Sequence, residues 1–407
     1  MATAQGVFRP TVRLESGDAL DILRREPSES VNCIVTSPPY WGLRDYGNPP
    51  TVWGGDPSCE HRFESETTVR AESSESVRGQ HAAGGGGQNR HAKTGVHPDA
   101  QRTYNDVSQG FCSWCGAWRG CLGMEPTPDM YVAHLGEVFV EVRRVLRRDG
   151  TLWLNLGDSF AGGRSGSRDP EKWPTQSRND HMPVMGKRAA GLKAKDLVGI
   201  PWRVAFALQA AGWYLRSDIC WAKPNNMPES VKDRPTRAHE YIFLLTRAAR
   251  YYYDSRAIAE AAVSVDSSRP RGSAASMRRR VVHPHAGRRD KQGQVGIRTY
   301  AGFNGRWDAA TPVPTRNARD VWVIPPQPFH GAHFATMPEA LVERCILAGC
   351  PEGGTVLDPF VGSGTVCAVA ARLGRHSVGF DLNDAYVAIA RQRAWPQAQP
   401  RMALTNA

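Results

Sequence analysis

The 407-residue chain has no apolar run near the ~18 residues that a membrane-spanning helix needs. Its first residues, MATAQGVFRPTVRLESGD, carry no apolar signal-peptide core. The expectation is a cytoplasmic protein with no membrane partner. Acids are in deficit: 40 Asp and Glu stand against 51 Lys and Arg, a net charge of +11. Such a balance favours a polyanionic partner, with nucleic acid first. A disulfide framework is not expected either. The nine cysteines are odd in number, and Cys33, Cys220, Cys345 and Cys367 lie in apolar runs, as buried thiols do in a reducing compartment. What is present, 41% hydrophobic residues, suffices for one large core or two medium ones.

The most informative segment is Thr36-Ser37-Pro38-Pro39-Tyr40, directly after the apolar run Val31–Val35. Two prolines fix φ and remove two backbone donors, leaving carbonyls that act only as acceptors. An aromatic ring follows that can stack on a planar ligand. The arrangement suits an exocyclic amino group on a nucleobase, although a Pro-Pro turn also simply ends many strands.

Its counterpart is Thr355-Val356-Leu357-Asp358-Pro359-Phe360-Val361-Gly362-Ser363-Gly364-Thr365, which reads strand, glycine turn, helix. Glycines there permit positive φ and a close ligand, and the helix start offers free N–H groups. The third glycine of a dinucleotide fingerprint is missing, since Cys367 stands in its place. Asp358 would repel a pyrophosphate. It suits a cation with an amino group and a sulfonium, which points to S-adenosylmethionine rather than NAD. A second strand, His376–Phe380, runs into Asp381, placed as acids that hold ribose hydroxyls are.

TSPPY, DPFVGSGT and the later GFD together resemble the DNA amino-methyltransferases, which methylate N4 of cytosine or N6 of adenine. The acceptor motif precedes the cofactor motif, an order similar to the beta class. The resemblance covers residues 11–61 and roughly 112–395. It implies an α/β fold of the S-adenosylmethionine-dependent methyltransferase type: a seven-stranded, mostly parallel sheet with helices on both faces, plus insertions. Ser37, Pro38, Pro39 and Tyr40 become the catalytic set, with the Ser37 hydroxyl and the Pro38 carbonyl as acceptors for the target amine and Tyr40 stacked on a flipped-out base of double-stranded DNA. Asp358, Phe360, Gly362, Gly364, Thr365 and Asp381 become cofactor contacts. Asp18 joins them by its place before the acceptor strand, or else it merely caps a helix. Thr365 either touches the cofactor or caps its own helix. Within the family, serine at the first motif position accompanies cytosine N4, so that base leads over adenine N6. A cognate restriction endonuclease is a further expected partner, and the enzyme would be a monomer or homodimer.

The expected organisation is an acceptor half of the catalytic domain at 11–61 and 112–255, a flexible insertion at 62–111, a target-recognition region at 256–320, and a cofactor-binding half at 321–395. Helices are expected over Met130–Arg148, stopped by Asp149-Gly150, over Asp196–Ala211 and over Pro338–Ala348, with strands at Thr151–Leu156, Trp213–Trp221 and Tyr241–Leu245. Cys59-x-His61 and Cys112-x-x-Cys115 form a four-ligand set for a structural zinc at the ends of the insertion. Arg278, Arg279, Arg280, Arg288 and Arg289 lie in the basic segment where the resemblance implies DNA contact. His239-Glu240 reads as a structural hydrogen-bonded pair, and the Phe329–Phe334 segment is implied as one wall of the cofactor pocket.

Overall fold

A computed structural model describes residues 9–43, 48–63, 67–72, 104–161, 192–193, 195–226, 228–261, 315–327 and 336–398. Among these residues the strands are β1 Val12–Ser16, β2 Val31–Thr36, β3 Thr51–Trp53, β4 Thr67–Glu72, β5 Tyr104–Phe111, β6 Trp118–Gly120, β7 Leu146–Leu156, β8 Tyr214–Ala222, β9 His239–Thr246, β10 Glu260–Ala261, β11 Thr315–Arg316, β12 Val321–Val323, β13 Thr355–Asp358 and β14 His376–Asp381. The helices are α1 Ala19–Arg25, α2 Pro128–Val145, α3 Ile200–Ala210, α4 Glu339–Gly349, α5 Thr365–Arg372 and α6 Asp384–Ala398. The chain divides into two units. Ser255–Arg319 forms one, in which β10 pairs antiparallel with β11 and Glu260 bridges Arg316 and Arg319. Met1–Asp254 with Asp320–Ala407 forms the other and carries the main sheet.

That sheet has eight strands in the order β1-β14-β13-β2-β7-β9-β8-β12. Seven were expected. The extra one is β12 at the edge, three residues long and parallel to β8, with only Trp322 buried between exposed Val321 and Val323. Neighbouring strands run parallel except around β9, which is antiparallel to both β7 and β8. The sheet alternates its faces as the pleat requires. Ile34, Leu152 and Leu154 join the core formed with α1, α2 and α3. On the opposite face a Cβ on Gly349 of α4 would touch Thr151, Trp153 and Cys33, and Gly379 lies against Val361 and Cys367 near α5.

Helix α2 shows why these segments fold locally. Thr127 caps it by accepting from the Met130 N–H at 3.2 Å, and Pro128 sits in the first turn where no donor is needed. Tyr131, Leu135, Val138, Phe139, Val142 and Val145 bury one stripe. The helix ends at Val145, three residues before the expected Arg148. The reason lies in β7, which begins at Leu146 opposite Val31 and then bulges through Arg147–Gly150 before rejoining β2 at Cys33–Thr151. Asp149-Gly150 is therefore part of a strand irregularity and not a helix stop. Outside the main sheet, β3, β6, β5 and β4 form a four-stranded antiparallel sheet that takes in both ends of the 62–111 segment.

Candidate active site

The strand order reverses between β13 and β2, which are parallel neighbours through Val356–Cys33 and Leu357–Ile34. Ligands in open α/β sheets bind in the crevice at such a switch point, outside the C-terminal strand ends. Both sequence motifs leave from this edge: Ser37–Tyr40 after β2 and Pro359–Gly364 after β13. The Thr36 hydroxyl donates to Asp358 Oδ1 at 2.7 Å and ties the two strand ends together. One cavity of about 750 Å³ is lined both by Ser37, Pro38, Pro39 and Tyr40 and by Asp18, Asp358, Phe360, Gly362, Thr365 and Asp381.

On the cofactor-motif side, Asp358 is 2% exposed. Its Oδ1 accepts from Thr36 and from the Phe360 N–H at 3.1 Å. Burial, with a smaller push from Asp381, raises its carboxyl to about 7. No cation pairs with it among the described residues. Asp381 accepts from the Gly362 N–H through Oδ2 and from the Asn383 N–H through Oδ1, both at 2.9 Å, so it latches the glycine turn while facing the cavity. Burial raises its pKa too. Gly364 holds φ 80° and caps α5, and a Cβ there would come within 2.7 Å of Ala390 on α6. Its role is close helix packing. Thr365 is thus not the cap; its hydroxyl accepts from Arg393 at 2.8 Å. Asp18 caps α1, taking the Leu20 and Asp21 N–H groups on Oδ1, and it also lines the cavity.

On the acceptor side the structure supplies partners that sequence reasoning missed. The Ser37 hydroxyl donates to the Tyr40 hydroxyl at 3.1 Å, and Tyr40 donates to Glu240 Oε2 at 2.8 Å. Asn155 Nδ2 donates to both Tyr40 and Glu240, at 2.9 and 3.1 Å. Lys223 Nζ bonds the other Glu240 oxygen and lies 4.3 Å from the Trp221 ring centre. Glu240 is therefore not paired with His239, as the sequence suggested. Alternation in β9 points the two side chains to opposite faces, and His239 packs edge-on against Tyr241. The Tyr40 ring lies against the Gly157 backbone, where a Cβ would stand 2.6 Å from Cε2. Tyr131 donates to the Pro39 carbonyl at 2.7 Å. Among the described residues no donor reaches the Pro38 carbonyl. No local signal in the sequence marked Asn155 or Glu240, since each meets Tyr40 from more than a hundred residues away.

Cys59, His61, Cys112 and Cys115 converge, with their ligand atoms within 4.8 Å of one another. Arg278, Arg279, Arg280, Arg288 and Arg289, like Phe329–Phe334, lie outside the described residues. Among the described residues no helix is long and apolar enough to cross a membrane.

The N6/N4 methyltransferase family described as DNA methylase matches residues 31–392. The type II methyltransferase M.Cfr9I of Citrobacter freundii is 39% identical over 380 residues, 93% of this chain and 86% of its own length. M.SmaI of Serratia marcescens is 36% identical over 377 residues, 93% and 88% of the two chains. The solved PvuII DNA methyltransferase (cytosine-N4-specific) aligns at 14% identity with a TM-score of 0.48, covering 98% of this chain and 92% of its own. A family match spanning most of the chain, and relatives this similar along nearly all of it, lead to one conclusion: the chain belongs to the S-adenosylmethionine-dependent DNA methylases that modify exocyclic amino nitrogens.

Proposed function

We propose that this DNA methyltransferase modifies N4 of cytosine in duplex DNA, as the modification partner in a type II restriction system. The observation that carries the reading is the direction of the Ser37 hydrogen bond. Ser37 gives its proton to Tyr40, and Tyr40 gives its own to Glu240. The lone pairs of Ser37 Oγ are left to accept, and a chain of donors ending on a carboxylate strengthens that acceptor. Pro38 lines the same cavity, and its carbonyl would be the second acceptor. Two acceptors suit the two N–H bonds of an exocyclic amine. Holding both draws the nitrogen toward pyramidal geometry and frees the lone pair that ring conjugation otherwise withholds.

The cofactor side fits a sulfonium amino acid bearing a nucleoside. Asp358 is a buried acid with no described cation beside it, so a positively charged ligand supplies what the protein omits. Asp381 and Asp18 also line the cavity, and their carboxylates would accept from ribose hydroxyls and an adenine amino group. S-adenosylmethionine, when bound, supplies an electrophilic methyl group and departs with the C–S bonding electrons. The protein's part is positioning, which can be worth several kcal/mol of barrier. Ser37 and Pro38 orient the amine. The Tyr40 ring, fixed by its hydroxyl contacts and by Gly157, offers a stacking face of about 1–3 kcal/mol. The proton shed by the methylated amine can pass from Ser37 through Tyr40 to Glu240. The target base must leave the duplex to reach the cavity, at a few kcal/mol, and the Arg278–Arg280 segment would hold phosphates or read guanine.

The test is incubation of the purified protein with duplex DNA and methyl-labelled cofactor, followed by nucleoside analysis. N4-methylcytosine is expected. N6-methyladenine as the product would overturn the base assignment while leaving the methylase family intact.

A further inference from the structure

We propose that Cys59, His61, Cys112 and Cys115 hold a structural zinc ion, and that this ion braces the Ser37–Tyr40 turn from behind. The second half rests on the catalytic reading of that turn; the first does not. Cys59 Sγ and Cys112 Sγ are 3.9 Å apart, and Cys115 Sγ and His61 Nδ1 are 3.3 Å apart. Ligands tetrahedrally bound at about 2.0–2.3 Å from zinc stand roughly 3.3–3.8 Å from each other. A disulfide needs about 2.05 Å, and all nine cysteines are free. Three thiolates and an imidazole form a closed set with no open position, as in structural zinc sites.

The surrounding backbone is shaped for such an ion. Gly116, at φ 73°, donates its N–H to the Cys112 carbonyl at 2.9 Å and closes the Cys112–Cys115 knuckle. The Arg62 N–H donates to Cys112 Sγ at 3.3 Å, a support to a thiolate ligand of the kind that tunes metal sites. A Cβ on Gly55 would stand 2.8 Å from Cys115 Sγ, so only glycine lets that strand turn pass the cluster. The knuckle has little apolar packing of its own, since Phe111 and Trp114 are 48% and 55% exposed. A small unit of this kind needs a staple.

A continuous path leads from the cluster to the turn. Strands β3 and β6 pair beside it, and their Trp53 and Trp118 stack on His134, at ring-centre distances of 5.0 and 5.5 Å. His134 Nδ1 bonds Glu125 Oε1 at 3.1 Å, and Glu125 Oε2 accepts from the Gly123 N–H at 2.8 Å. The Gly123 carbonyl accepts from the Gly42 N–H at 2.8 Å, and the Glu125 carbonyl accepts from Trp41 Nε1 at 2.9 Å. Gly123 also abuts Pro39, where a Cβ would lie 3.2 Å away. The contacts end on the residues that flank Tyr40.

The experiment uses the full chain. Protein purified without added metal is expected to carry roughly one zinc per chain by atomic emission, and growth on cobalt should give the thiolate-to-cobalt charge-transfer absorption of a sulfur-rich tetrahedral site. His61→Cys should retain the metal, whereas Cys112→Ser with Cys115→Ser should lose it. Removal of zinc should lower kcat by at least ~10-fold, because a misplaced turn weakens positioning. Cofactor affinity should change less than about threefold, since β13 and its loop lie outside the path. Protein that is active yet holds well under a fifth of an ion per chain (about 0.2 on the same stoichiometric scale) overturns the site. Full kcat in a metal-free double variant overturns the brace. Should the double variant not fold, zinc retention by His61→Cys and the cobalt spectrum still decide the site, and kcat of the stripped wild-type chain decides the brace. Metal content is indifferent to which base is methylated, so failure of the cytosine assignment leaves this result readable.

Discussion

Gly157→Ala tests the acceptor network at one atom. The added methyl would stand 2.6 Å from Tyr40 Cε2 and 2.8 Å from Cδ2. Carbon atoms settle at about 3.5–4.0 Å, so the ring must shift by roughly 1 Å. Gly157 is not among the residues at positive φ, so alanine brings no backbone strain. The perturbation falls on the ring. A shift of that size breaks hydroxyl contacts of 2.8 Å to Glu240 and 2.9 Å to Asn155, and it frees the Ser37 proton to rotate into the place meant for the incoming amine. Misplacement by about 1 Å can cost ~100-fold in rate, or about 2.7 kcal/mol of barrier. Single-turnover methylation with labelled cofactor measures the rate, calorimetric titration the cofactor affinity, and thermal unfolding the fold. The expected outcome is a ~100-fold loss of rate, with cofactor Kd within about threefold of wild type and Tm lowered by only a few degrees. A rate within threefold of wild type (about 0.6 kcal/mol of barrier) would refute the role given to the ring.

Asp358→Asn should uncouple stability from pH. The folded protein binds the Asp358 proton more tightly than the unfolded chain does, because burial raises its pKa from 3.8 to about 7. Wild-type stability therefore falls as pH rises through that window, by up to ~1.4 kcal/mol per unit. The variant's advantage should grow from about pH 4 to 7 and then level off, while its cofactor affinity drops at least ~10-fold; urea titrations that show a pH-independent difference contradict the burial argument. Gly364→Ala forces a left-handed alanine and a 2.7 Å contact with Ala390, and should cost about 2–4 kcal/mol in denaturant unfolding. Replacing Arg278, Arg279 and Arg280 by glutamine should flatten the salt dependence of DNA binding by up to ~2.7 in log–log slope. An unchanged slope would place the phosphate contacts elsewhere.

Much of the fold could be read from short-range pattern. The buried run Val31–Val35, the stripe of α2 and the strand-turn-helix at Thr355–Arg372 each carry their own periodicity, and each appears where that periodicity put it. The convergence of Cys59, His61, Cys112 and Cys115 was legible because each pair lies within four residues of sequence. What escaped was set by long-range pairing. Nothing local distinguishes β9 from a parallel strand, because Ile242–Thr246 is a continuous buried run of the kind parallel strands show. Val321–Val323 is too short to announce itself, and Trp322 becomes a strand residue only because β8 lies open beside it. The end of α2 was misplaced because the competing pairing of Leu146 with Val31 outweighs the helical propensity of Arg147 and Arg148. Glu240 was assigned to its sequence neighbour, whereas its partners Tyr40 and Asn155 come from the turn after β2 and from β7.

Among the described residues the first strand, β1, hydrogen-bonds to the last, β14, in parallel register from Val12–Ser377 to Ser16–Asp381. The linear sequence thus returns to its own beginning inside the sheet, like a loop of string whose knot could be retied elsewhere. A linker joining the two ends, with a new opening cut between β9 and β12, would put the Asp358–Thr365 motif first and the Ser37–Tyr40 motif second. Every strand neighbour in the crevice would stay the same. Motif order, by which such enzymes are sorted into classes, then records only where the string was cut.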